Sequence, residues 1–176
     1  MERLKVLVTR EQIAAKVAEL GARITQDFAG ETIVLVGVLK GAVIFVADLA
    51  RAINLEVAFD FMSVSSYGNT REQSGDVKLL KDVDHSMEGK NVILVEDILD
   101  TGVTLSFLKE QVQRHTPKSI RIAALLDKSS RRRVPIQGDY VGFEIPDEFV
   151  VGYGLDFAGR HRNLPDICVL EMEKSS

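Results

Sequence analysis

Two short stretches of this chain are apolar on every face. Thr32 to Val38 and Asn91 to Val95 run through Ile, Val and Leu with no polar alternation. A strand with one side in water alternates; one written like this needs cover on both sides. That is the pattern of parallel sheets sandwiched between helices. The intervening segments supply the helices. Thr9 and Gln12 have capping-box spacing, Ile13, Val17, Leu20 and Ile24 share one helical face, and Gly30 marks a stop. A second helix is expected over Ala42 to Ile53. A third is expected over Thr101 to His115, with Val103, Phe107, Leu108 and Val112 facing inward.

Further strands are expected at Leu55 to Phe61, with Leu55, Val57, Phe59 and Phe61 inward, and at Val77 to Lys81. Others follow at Ile120 to Leu126, Tyr140 to Phe143, Phe149 to Tyr153 and Ile167 to Leu170. Ser65 to Asp76 is polar with glycines at 68 and 75, and reads as a mobile loop. Strands alternating with amphipathic helices give an α/β fold with a central, mainly parallel sheet flanked by helices. A chain of 176 residues fits one domain.

Bulk chemistry excludes some functions. The formal net charge is −4, so the basic surplus of a nucleic-acid binder is absent. Cys168 is the only cysteine, which rules out an internal disulfide framework and suits a reduced, cytoplasmic setting. Met1 to Arg10 carries no signal-peptide core, and no apolar run has membrane-spanning length.

Three polar segments fall at carboxyl ends of expected strands, where ligands bind in such sheets. They are Leu39-Lys40-Gly41, Glu96 to Thr104, and Asp127-Lys128. The middle one carries the chemistry. A buried strand ends in Glu96-Asp97, a third acid follows at Asp100, and Gly102 turns the chain into a helix. Unpaired N–H groups at a helix start favour an anion, and Thr101 and Thr104 add hydroxyls. Carboxylates beside a phosphate seat fit a polyphosphorylated sugar, whose diol they bind and whose charge they offset by holding Mg²⁺. No Gly-x4-Gly-Lys loop is present. Asp100-Thr101-Gly102 also spells the aspartic-protease tripeptide, but that chemistry needs a second carboxylate from another copy. The string occurs once here and opens a helix.

Val95 to Gly102 resembles the phosphoribosyl pyrophosphate motif of type I phosphoribosyltransferases. Leu39-Lys40-Gly41, Ser65 to Gly68, Asp127-Lys128 and Phe149 to Asp156 match in order, and align the chain with the bacterial hypoxanthine(-guanine) branch of that family. The resemblance implies a small hood built from the N-terminal segment and the C-terminal region. It implies transfer of phosphoribosyl from phosphoribosyl pyrophosphate to a 6-oxopurine, with Mg²⁺, in a homodimer or homotetramer without nucleic-acid or membrane partners.

Roles follow from the same resemblance. Glu96 and Asp97 take the ribose hydroxyls and metal, and Asp100 is the general base near purine N7. Ile98, Leu99, Thr101, Gly102, Val103 and Thr104 surround the ribose and 5′-phosphate. Lys40 and Gly41, through a cis peptide before Lys40, meet pyrophosphate together with Arg162. Lys128 faces the purine O6, Phe149 stacks on the ring, and Val150 offers its backbone. Asp156 supports the purine side and a second metal. Ser66 and Tyr67 open a closing lid.

Arg131-Arg132-Arg133 is the one basic run, read as a solvated turn, or else as a subunit contact or a phosphate-attracting rim. Two rival functions stay open: a phosphoribosyl-pyrophosphate-sensing RNA-binding regulator of the same fold, and a transferase for another base.

Overall fold

The computed structural model describes residues 2–66 and 77–172, with side chains described except at Ser66 and Met172. Its main sheet has six strands in the order β4-β3-β2-β5-β6-β7. These are β2 (Ile33–Val38), β3 (Val57–Ser66), β4 (Val77–Lys81), β5 (Asn91–Leu99), β6 (Ser119–Asp127) and β7 (Tyr140–Glu144). All neighbours run parallel except β4, which returns antiparallel along β3. The expected α/β class is present.

The doubly apolar strands sort their residues by parity, as a period of two requires. Ile33, Leu35, Ile93 and Val95 join α1 (Arg10–Asp27) and α2 (Val43–Ala52) in one core. Val34, Val36, Val92 and Leu94 join α3 (Val103–Gln113) in the other. In α1 the capping box forms. Thr9 Oγ1 accepts the Gln12 N–H at 3.2 Å, and Gln12 Oε1 accepts the Thr9 N–H at 2.8 Å. Ile13, Val17, Leu20 and Ile24 are buried as expected.

Chain termini pair in a second sheet of order β1-β9-β8, antiparallel throughout. It comprises β1 (Glu2–Val8), β8 (Val150–Val151) and β9 (Ile167–Met172). The sequence reading assigned no strand to the first residues, and it drew β8 too long. No helix among the described residues is long and apolar enough to cross a membrane.

Two faces differ from expectation. In β3, Phe59 is 54% exposed while Asp60 is 4% exposed. The Asp60 carboxylate turns inward because it accepts the N–H groups of Phe61, Asp84 and His85, tying a turn down. In α3, which starts at Val103, the buried face is Leu105, Leu108 and Val112, so Leu105 takes the place expected for Val103.

Strand order sets the site. From β2 the chain moves outward to β3, then returns to the other side of β2 as β5. The carboxyl ends of β2 and β5 therefore flank the point where winding reverses, and loops leaving them part to open a crevice.

The α1–α2 contact gives a test of the packing. A Cβ at Gly21 would lie 2.5 Å from the Ala52 carbonyl oxygen, a backbone atom that cannot step aside. Gly21→Ala gains helix propensity but should lose more to overpacking, a net cost of about 1–3 kcal/mol. Thermal unfolding should show a lower midpoint; an unchanged or raised midpoint would mean the helices have slack.

Candidate active site

β5 runs four residues beyond its expected end at Val95, so Glu96 and Asp97 lie within the strand. Glu96 is 9% exposed. The pair survives by binding local backbone. The Asp97 N–H donates to Glu96 Oε1 at 3.0 Å and the Ile98 N–H to Asp97 Oδ1 at 2.7 Å. Burial, and then the adjacent Asp97 charge, push the Glu96 carboxyl well above the usual carboxylate range. Burial also raises Asp97, while its hydrogen bonds and the Arg162 charge pull the other way.

Past Leu99, the turn Asp100-Thr101-Gly102 leads into α3. Gly102 sits at φ +84°, and a Cβ there would strike Ile136 and press on Val134. Only glycine meets both demands. No side chain caps the helix from Gly102, and the Thr101 hydroxyl reaches the Val103 N–H only at 3.4 Å. First-turn N–H groups thus remain available to an anion. A hollow of about 190 Å³ runs along Glu96 to Thr104, omitting Val103 and adding Leu105. Within the turn, Asp100 Oδ1 is buried and lies 2.9 Å from Arg131 Nε.

Two further loops close on this strand end. The Leu39–Lys40 peptide is cis. Gly41 packs so closely on Asp97 that any Cβ would overlap the carboxylate. The third loop meets the second at Gly154 (φ +102°), where a Cβ would overlap the Gly41 carbonyl oxygen. Arg162 holds that loop in shape, donating from Nη1 to the Gly154 carbonyl at 2.6 Å and pairing with Asp156 at 2.8 Å. Asp156 accepts the Gly159 N–H on its other oxygen, so both its oxygens are engaged within the loop.

Lys128 is 6% exposed, far from a solvated loop lysine. Its N–H donates to the Leu99 carbonyl at 2.9 Å, which locks it beside the Asp100 turn. No hydrogen bond or ion pair joins its ammonium to another described residue. Phe149 is not a core residue: it is 52% exposed and rests edge-on against Phe157, with centroids 5.7 Å apart. Val150 is buried and paired with Val169. Ser66 ends β3, and Tyr67 lies outside the described residues.

Sequence reasoning missed Arg131 and Arg132. Arg132 is largely buried, and Arg131, though 40% exposed in its turn, is paired. Arg132 pairs with Asp127 and donates to the carbonyls of Leu99 and Asp100. Arg131 pairs with Asp100 and Asp147. A basic run following a strand whose neighbour ends in three acids was the available signal. A larger hollow, about 580 Å³, lies between α1 and α2 and is lined by Ile13, Val17, Ile44 and Tyr153. It contains none of the groups above, so chemistry rather than volume marks the site.

Residues 5–158 match the phosphoribosyl transferase domain family. The chain is 52% identical over 167 residues to the hypoxanthine-guanine phosphoribosyltransferase of Bacillus subtilis, covering 95% of this chain and 93% of that one. It is 50% identical over 169 residues to the enzyme of the same name from Streptococcus agalactiae, covering 96% and 94%. The crystal structure of a Bacillus anthracis hypoxanthine-guanine phosphoribosyltransferase superposes with a TM-score of 0.91 at 53% identity, covering 95% of this chain and 99% of that one. The chain belongs to the phosphoribosyltransferase family and has its fold.

The buried acid pair generates a pH prediction. A carboxyl raised in the folded state keeps its proton longer than in the unfolded chain. Stability is therefore lost as pH climbs from the ordinary glutamate value, 4.5, toward the raised one. Glu96→Gln removes that loss. Its ligand-free thermal midpoint should exceed the parent's at pH 7 by a few degrees, about 2–4 °C per kcal/mol. The gap should shrink toward pH 4. A lower midpoint at pH 7 would show that the ionised Glu96 is stabilising.

Proposed function

We propose that this protein transfers the 5-phosphoribosyl group from phosphoribosyl pyrophosphate to N9 of a 6-oxopurine in purine salvage, giving IMP or GMP and pyrophosphate. One observation carries the reading. A buried acid, Glu96, and its half-buried neighbour Asp97 lie near the end of a central strand that leads through Ile98 and Leu99 into a glycine turn and an uncapped helix start. The acids suit a sugar diol; the helix start suits its phosphate.

Glu96 and Asp97 hold the ribose hydroxyls. The 5′-phosphate lies on the N–H groups and hydroxyls of Thr101 to Thr104, with Ile98 and Leu99 shaping the floor. Lys40, Gly41 and Arg162 face the pyrophosphate. Phe149 offers its exposed face to the purine ring, Val150 its backbone, and Lys128 its ammonium to O6. Asp156 supports the purine side and a second metal position through the loop it holds with Arg162.

The anomeric C1′–O bond breaks with its electron pair leaving on pyrophosphate, and the N9–C1′ bond forms. The purine proton passes to Asp100, whose side chain is 38% exposed at the turn. Water would compete for the electropositive C1′, which gives the lid assigned to Ser66 and Tyr67 a chemical purpose.

Glu96 and Asp97 fit Mg²⁺: they are hard oxygen donors, crowded, and eased by a cation. Among the described residues no larger cluster of His, Cys, Asp or Glu forms a self-contained cage. That matches an ion held by one or two carboxylates together with substrate phosphates. When bound, it neutralises charge on the departing pyrophosphate.

Residues 1–176 act as one catalytic unit hooded by the β1-β9-β8 sheet. We place that unit in the cytoplasm as a homodimer or homotetramer. The RNA-binding regulator gains no support: the chain is acidic, and Arg131 and Arg132 are committed to carboxylates.

Pyrophosphate release should be measured with hypoxanthine, guanine, xanthine and adenine, with and without Mg²⁺. We expect turnover of 6-oxopurines that depends on the metal. Adenine should be slower by roughly 100-fold or more, because its amino group would leave the buried Lys128 without an acceptor. Asp100→Asn should bind both substrates and lose about 100-fold or more in kcat. Preference for adenine, or full turnover by Asp100→Asn, would sink the assignment of those groups.

A further inference from the structure

Lys128 is followed by three arginines, and the proposed reaction uses none of them. Two converge on Asp100. Arg132 grips its backbone: it is 16% exposed, and its guanidinium donates to the carbonyl oxygens of Leu99, at 3.2 Å, and of Asp100, while pairing with Asp127. Arg131 takes the side chain. Its Nε lies 2.9 Å from Asp100 Oδ1, and its Nη1 donates to Asp147 Oδ1 at 3.3 Å. One guanidinium thus spans the β5–α3 turn and the β7–β8 loop, two residues before Phe149.

We propose that Arg131 is a positioning residue, a strut that fixes the Asp100 carboxylate relative to the ring platform at Phe149 by engaging Asp100 and Asp147 together. The proposal rests on Asp100 being the base.

Three features support a positioning role. Arg131 meets Asp100 at one oxygen, Oδ1, which is buried, while the Asp100 side chain as a whole keeps 38% of its surface exposed. The strut therefore restrains the carboxylate from one side and leaves its exposed part to meet a purine N–H. Arg131, Asp100 and Asp147 have side chains 40%, 38% and 56% exposed, and ion pairs this exposed add little stability. Finally, two different nitrogens of one planar fork reach two carboxylates, a geometry that a lysine ammonium does not reproduce. Asp147, and then Asp100, hold the guanidinium more firmly protonated, so the strut keeps its charge wherever the enzyme works.

Steady-state kinetics with phosphoribosyl pyrophosphate and hypoxanthine test this on Arg131→Ala, Arg131→Lys, Asp147→Asn and the double variant Arg131→Ala/Asp147→Asn. A carboxylate displaced by about 1 Å can cost up to ~100-fold, so Arg131→Ala should lower kcat roughly tenfold. The KM for the sugar pyrophosphate should stay within about twofold, with the thermal midpoint unchanged. Asp147→Asn should cost less, and nothing further once Arg131 is gone; Arg131→Lys should recover only part. A kcat for Arg131→Ala within about twofold of the parent would overturn the proposal. So would a loss confined to KM, or an Asp147→Asn effect equally large in the absence of Arg131. Asp100→Asn alone reports on the base reading. In that background Arg131→Ala should be silent, and a further loss there would show that the arginine acts through something else.

Discussion

Burying Glu96 beside Asp97 is the constraint from which the rest of the site follows. Two unit charges about 4 Å apart repel by roughly 4 kcal/mol at an effective dielectric near 20, before either has lost its water. Neighbours must offset this. Backbone N–H groups of Asp97 and Ile98 bind one oxygen of each carboxylate. The Arg162 charge acts on Asp97 from the third loop. Residue 41 can carry no side chain, because the Asp97 carboxylate already fills that space. Residue 154 can carry none either, because the Gly41 carbonyl fills that one. Strand end, cis-peptide loop and arginine loop thus meet in one contact chain that begins at the acids.

Such a site needs a rigid base, and the sheet supplies one. β5 is paired on both sides by parallel strands and covered on both faces by helices. Its apolar residues up to Val95 are fully buried. The unfavourable groups sit directly at the end of this most enclosed strand, where displacing them would mean distorting two cores. Lys128 follows the neighbouring strand, pinned through its N–H to Leu99. Two charged features of the site, the acid pair and the largely buried Lys128, therefore project from adjacent and hydrogen-bonded strands.

Local pattern made much of this legible in the sequence. The parity of Ile33 to Val38 and the spacing of Ile13, Val17, Leu20 and Ile24 depend on near neighbours, so core strands and the first helix could be read directly. The string Glu96 to Thr104 was legible because its chemistry is contiguous. What failed depended on distant partners. β1 is held by β9, more than 150 residues away, and its Leu4 and Val6 stay 40% and 52% exposed, so its alternation reports little burial. Phe59 and Asp60 exchanged their expected environments because two N–H groups brought by another segment, from Asp84 and His85, join the adjacent Phe61 N–H in rewarding a buried carboxylate. Arg131 and Arg132 could not be assigned from a run of three arginines, since their partners lie some thirty residues upstream or beyond the next strand.

In the proposed reaction, the largely buried Lys128 turns this rigidity into selectivity. A charged donor left unmet in the complex costs more than the ~1 kcal/mol net value of an ordinary hydrogen bond. A ligand presenting a keto oxygen removes that cost; one presenting an amino group adds a second donor to it. The discrimination is set less by attraction to the right base than by a penalty that the wrong base leaves standing. The 6% exposure of Lys128, a backbone fixed to β5 and a turn stapled by Arg132 leave the side chain little freedom to turn away from a ligand.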